Sequence, residues 1–142
     1  MRLPAALLTT ALLTTALLTS ALFALPVAAQ EDPIQTTIRN QLTALGQDDF
    51  ITAFSFASPT IKGLFGTADN FGSMVRQGYP MVHRPGSVKM LELREVAGNL
   101  WQRVMITDLE GRTHLLDYQM VETADGWQIN GVQLLPSVGV GT

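Results

Sequence analysis

The stretch "NLWQRVMITDLEGRTHLLDYQMVE", Asn99 to Glu122, is two alternating runs separated by "DLEGR". Apolar and polar residues change places at every step on both sides, which is the period of a half-buried strand. Asp108 suits the first position of a type I turn and Gly111 its left-handed close, so Asp108 is placed opposite Arg112. That register sets Gln102 against Tyr118, Val104 against Leu116 and Ile106 against His114 on one side. On the other it pairs Arg103 with Asp117 and Thr107 with Thr113. Arg103 and Asp117 then read as an ion pair on the outer surface, worth about a few tenths of a kcal/mol. Gln102 and Tyr118 sit among apolar neighbours on the face that must be covered. A buried amide and phenol need partners, so they are expected to satisfy each other or to line a small pocket.

The same period continues on both flanks. "SVKMLELREV", Ser87 to Val96, and "GWQINGVQLLP", Gly126 to Pro136, complete an antiparallel meander of four strands. In the last strand Trp127 and Ile129 point to one face while Val132 and Leu134 point to the other. A bulge at Gly131 returns all four to one side and curls the sheet. The alternative is an apolar outer patch of Trp101, Val121 and Trp127, which implies a partner or a homodimer.

Before residue 79 the period is helical. Ile34, Ile38, Leu42 and Leu45 recur at helical spacing, with Asp32 as cap, Pro33 at the first position and Gly46 as the stop. "QDDFITAFSFAS" opens a second helix, in which Asp48 is expected to cap and Asp49 to lie in the first turn. Capping accounts for both aspartates without general acid or base chemistry. "SPTIKGLFGT" reads as a single helical turn capped by Ser58, and Thr67 caps a third helix through Phe71, Met74 and Val75 to Gly78. The fold class is α+β, with three N-terminal helices packed on a curved four-stranded antiparallel sheet.

"GYPMVHRPGSV", Gly78 to Val88, joins the two layers. Pro80 forces Tyr79 into an extended conformation, and Pro85 with Gly86 turns the chain into the sheet. Met81 and Val82 are expected inward as a short strand, with His83 and Arg84 at the rim. Tyr79, His83 and Arg84 could there hold an anionic or aromatic group.

Arg2 is the only charge before Glu31, and "ALLTTALLTTALLTSALFAL", Ala6 to Leu25, is an uncharged, mainly apolar run with Thr at intervals. Pro26 ends that run, and Val27 and Ala29 are the small residues a signal peptidase accepts. Residues 1–29 therefore read as a secretory signal peptide cleaved between Ala29 and Gln30, and residues 30–142 as one exported domain, periplasmic or secreted. The alternative is a retained anchor, since about 20 apolar residues span a bilayer. Removing 29 of 142 residues leaves 113, one core's worth of chain. With no cysteine there is neither a lipid-bearing Cys nor a disulfide, so the core must carry the stability. Eight Lys and Arg against 12 Asp and Glu give −4 after cleavage, without a basic run, which argues against a nucleic-acid partner.

Helices followed by a meander ending in "ADGWQINGVQLLP" resemble the cone-like α+β roll of the nuclear transport factor two-like superfamily, where a "DGW" strand often closes the core. More closely, "DDFITAFSFASPTIKGLFGTADNFGSMVRQGYPMV", "LWQRVMITD" and "LLDYQMVETADGWQINGVQLL" resemble a family of secreted alphaproteobacterial proteins known only as a domain of unknown function. The superfamily resemblance implies a conical pocket between sheet and helices. Some members bind steroids, polyketides or small acids, some catalyse isomerisation or hydrolysis with Asp/His or Asp/Tyr sets, and many only mediate contacts, so fold does not choose among them. Here the core-facing polar residues are Gln102, Tyr118 and His114, and no acid joins them.

No Cys nucleophile, "GxSxG", "HExxH", Walker loop or dinucleotide fingerprint is present, so no cofactor is implied. His83 and His114 lack carboxylates at helical or hairpin spacing, so no metal site is implied. The reading is an exported, non-catalytic module that binds a small molecule or a protein partner, with Tyr79, His83, Arg84, Gln102, His114 and Tyr118 as candidate pocket residues. The alternatives are a small hydrolase or isomerase using Tyr118 with His83 or His114, and a homodimer through Trp101 and Trp127. Membrane contact follows only if the N-terminal segment is retained.

Overall fold

The computed structural model describes residues 27–136. The apolar run and most of the expected signal peptide lie outside these residues. Among the described helices, none is long and apolar enough to cross a membrane.

Four strands, β1 (Pro85–Val96), β2 (Asn99–Asp108), β3 (Thr113–Thr123) and β4 (Gly126–Leu134), form one antiparallel sheet in chain order. The central register is the one the turn chemistry dictates: Gln102 pairs with Tyr118, Arg103 with Asp117, Val104 with Leu116 and Ile106 with His114. Asp108 accepts the Gly111 N–H at its carbonyl, and Gly111 has φ 83°. A residue's turn preferences and its strand period thus agree, which leaves no competing register.

The last strand carries its irregularity where the apolar phase flips. Gln119 pairs with Gly131 but Met120 with Ile129, so Asn130 is the extra residue. Trp127, Ile129 and Val132 all pack with the core, whereas Leu134 is 47% exposed near the strand end. Trp101 lies opposite Gln119, on the other face of the sheet from Trp127. The two tryptophans therefore do not share an outer patch, contrary to the alternative that joined them. The edge of β4 is met by the segment Phe56–Ser58, with the Ser58 N–H donating to Ile129 O at 2.8 Å and the Ile129 N–H to Phe56 O at 2.9 Å.

Among the described residues five helices precede the sheet, where three and a single helical turn at Ser58 were expected: α1 (Val27–Gly46), α2 (Phe50–Ser55), α3 (Pro59–Phe65), α4 (Ala68–Gly78) and α5 (Pro80–His83). Ile34, Ile38, Leu42 and Leu45 of α1 are buried against Val104, Ile106, Leu116, Tyr118, Met120 and Ile129 of the sheet. Side-chain oxygens of Ser58 and Thr67 accept from Ile61 N and Asn70 N, so both expected caps are in place.

Three local expectations are corrected. α1 begins at Val27, so Asp32 is not its cap and Pro33 lies inside the helix. Asp49, not Asp48, caps α2 by accepting from Thr52 N at 3.1 Å, while Asp48 takes the left-handed conformation, φ 57°. Met81 and Val82 are buried as expected, but on a helical turn. Pro80 occupies the first position of that turn, where its fixed φ suits a helix as well as it suits extended chain.

Candidate functional site

The candidate residues fall into three separate places. The first is a cavity of about 230 Å³ between α1, α3 and α4 and the inner face of β3 and β4. Leu45, Phe65, Phe71, Val75, Ile129 and Val132 are among its apolar lining, and its polar side chains are Gln41, Tyr79 and Tyr118. No charged side chain lines it among the described residues. Leu64, on α3, lines it too and is 74% exposed, which locates the opening beside that helix.

The polar groups on this wall are unequally satisfied. Tyr79, held at φ −134° and ψ 57° between two helices, donates its hydroxyl to Val132 O at 3.2 Å. Gln41 donates through Nε2 to Ala53 O at 3.2 Å. Tyr118 is fully buried, and its hydroxyl has no partner among the described residues. Burial, and then the neighbouring Tyr79, holds that phenol well above its ordinary range, so it stays a neutral donor.

Gln102 is buried but is not part of this wall. Its Nε2 donates to Leu91 O and to Arg103 O, both at 2.9 Å, and Leu91 falls where the β1–β2 register shifts between Met90 and Leu93. The amide thus satisfies a carbonyl that the ladder skips, a structural duty. Gln102 and Tyr118 face each other across the strands, yet no hydrogen bond joins them.

The second place is a polar cleft of about 410 Å³ between α5 and the β2–β3 turn, lined by His83, Arg84, Asp108, Glu110, Arg112 and His114, among others. Both histidines have carboxylate partners here: that of His83 lies 35 residues away, but that of His114 is in the same hairpin, which corrects the expectation that neither has one at helical or hairpin spacing. His83 Nε2 lies 2.6 Å from Asp48 Oδ1, and Arg84 Nη2 donates to Asp48 Oδ2 at 2.9 Å. Arg84 Nη1 also donates to Gly46 O at 2.6 Å, at the C-terminus of α1. His114 Nε2 lies 2.8 Å from Asp108 Oδ2, while Asp108 Oδ1 accepts from the Glu110 and Arg112 N–H groups. The His83 and Arg84 contacts hold the Asp48 carboxyl below its ordinary range, and the His114 contact does the same for Asp108. Both pairs brace chain turns: Asp48 ties the α1–α2 loop to α5, and Asp108 shapes the hairpin.

The third place is on the outer face of the sheet. Asp117 is only 5% exposed and accepts from Arg94 at 2.9 and 3.2 Å and from Arg103 at 3.2 and 3.3 Å. Burial pushes its carboxyl up, but the two guanidiniums outweigh that and hold it below the ordinary value. The expected surface pair is therefore a buried carboxylate with two donors. Arg94 was missed because β1 carries a register shift before it reaches Trp101.

Of the six candidates, Tyr79 and Tyr118 share the cavity, His83, Arg84 and His114 share the cleft, and Gln102 belongs to neither. Tyr118 is thus not brought to a histidine or a carboxylate. Among the described residues no three of His, Cys, Asp and Glu are placed to share a metal ion. Gln41 was overlooked, although it follows Ile34 by seven and Ile38 by three and so lies on the buried stripe of α1.

The chain belongs to the family described as a domain of unknown function, DUF4864, which matches residues 27–142. Neither a curated protein nor a solved structure matches it.

Proposed function

We propose that this DUF4864 protein is an exported binding module whose cavity takes a small, mainly apolar molecule, and that it performs no chemistry on it. The observation that carries this reading is a wall of apolar side chains around about 230 Å³, one of whose lining residues, Tyr118, carries a buried hydroxyl with no partner among the described residues. That volume exceeds a benzene-sized void of about 150 Å³ and falls short of drug-sized pockets, which start near 300 Å³. One or two rings, or a short acyl chain, fit it. The sheet irregularities in β1 and β4, together with the cavity between sheet and helices, support the cone-like roll of the nuclear transport factor two-like superfamily. Export is supported by the apolar run that precedes Pro26.

The test is native mass spectrometry of the protein purified from its own host without denaturation. A co-purifying molecule of roughly one or two rings, released when Val75 is replaced by Trp to fill the cavity, is expected. A protein that is empty on isolation and unaffected in melting temperature by a library of such molecules would sink the reading.

A further inference from the structure

Resting on that binding reading, we propose that the cavity selects an uncharged ligand bearing a hydrogen-bond acceptor, such as a ketone, aldehyde or ester on a small ring, and rejects the corresponding ionised acid. Three observations lead there. The first is the absence of any charged side chain from the wall. A carboxylate entering it would lose its hydration with no counter-ion in return. On neighbouring elements Arg76 lies over the Phe50 ring at 4.5 Å and Arg84 is bound to Asp48 and the end of α1, while Lys62 of α3 and Arg39 of α1 are not among the lining residues.

The second is the division of polar groups on the wall. The Tyr79 hydroxyl proton is given to Val132 O, and one Gln41 amide proton to Ala53 O. Tyr118 holds the one hydroxyl proton on this wall with no acceptor among the described residues. The third is its burial: the hydroxyl has almost no accessible surface, so it gives up little hydration of its own when the wall yields to a ligand oxygen, and the main cost is the hydration lost by the ligand carbonyl. An apolar ligand of equal shape fills the space and leaves the proton unpaired.

The experiment compares three probes of one size, acetophenone, ethylbenzene and benzoate, by NMR titration near pH 7 against the protein as isolated and its Tyr118→Phe variant. Acetophenone is expected to bind about tenfold tighter than ethylbenzene, the ratio set by one such hydrogen bond, and benzoate not measurably. In Tyr118→Phe the two neutral probes are expected to bind alike, with ethylbenzene unchanged. Equal binding of acetophenone and ethylbenzene to the wild type overturns the inference while the cavity reading survives. So does binding of benzoate, or a ketone preference that persists in the variant. Failure of all three probes overturns the cavity reading and this inference with it.

Discussion

Tyr118 is the residue at which packing and hydrogen bonding disagree. Its ring is fully buried in the core, yet its hydroxyl has no acceptor among the described residues. Removing an unpartnered buried hydroxyl relieves a desolvation penalty, so Tyr118→Phe is expected to stabilise the ligand-free protein by about 1 kcal/mol. A urea melt reads this as a higher midpoint with the same slope. A lower midpoint would mean that the hydroxyl has a partner. Ser58 is the opposite case: it caps α3 through Ile61 N, donates to Asn130 Oδ1 at 2.8 Å and is 1% exposed. Ser58→Ala is expected to lower stability by about 1–2 kcal/mol, because it orphans a helix N–H and a half-buried amide together. The cap was legible in "SPT"; the bond to Asn130 was not, since 72 residues of chain separate the two.

At the level of elements, the junction between α5 and β1 rests on close backbone approach. A Cβ built on Gly86 would lie 2.8 Å from Asp108 O and 2.9 Å from Thr107 O, both main-chain atoms that cannot swing aside. Gly86→Ala is expected to cost about 2–3 kcal/mol by prising the start of β1 from β2. Gly78→Ala meets nothing within 4 Å and ends a helix, so it is expected to be neutral or to gain up to about 0.5 kcal/mol. Chemical denaturation of the two variants side by side separates close approach from chain entropy. "PGSV" announced the turn into the sheet, but glycine there looked like turn chemistry. Its actual constraint is the neighbouring hairpin end, which only the folded pairing brings close.

For the whole molecule, Asp48, Asp108 and Asp117 are held below the ordinary carboxylate value by partners that exist only in the fold. A carboxylate depressed by folding contributes stability that is complete above its unfolded value, 3.8, and lost as pH falls through the lower folded values. The melting temperature is therefore expected to drop steeply below about pH 4, as protonation of these groups becomes linked to unfolding. Asp117→Asn removes one such group, so calorimetry across acid pH should show a shallower decline than in the wild type. An unchanged acid slope would mean that Asp117 keeps its ordinary affinity for protons.

The amino-acid sequence by itself determined the meander, its central register and the caps at Ser58 and Thr67, because these depend on turn preferences, a period of two and groups within a few residues of one another. It also placed Trp127, Ile129 and Val132 together, once the broken phase around Asn130 and Gly131 was read as a bulge. The tertiary structure alone decided the polar contacts made across long stretches of chain. His83 meets Asp48 across 35 residues and Arg94 meets Asp117 across 23, contacts that no local spacing encodes. It also decided that Gln102 serves a skipped carbonyl while Tyr118 borders a void. A cavity is space left over after every helix and strand has packed, so it belongs to the assembled elements and to no one stretch of the chain.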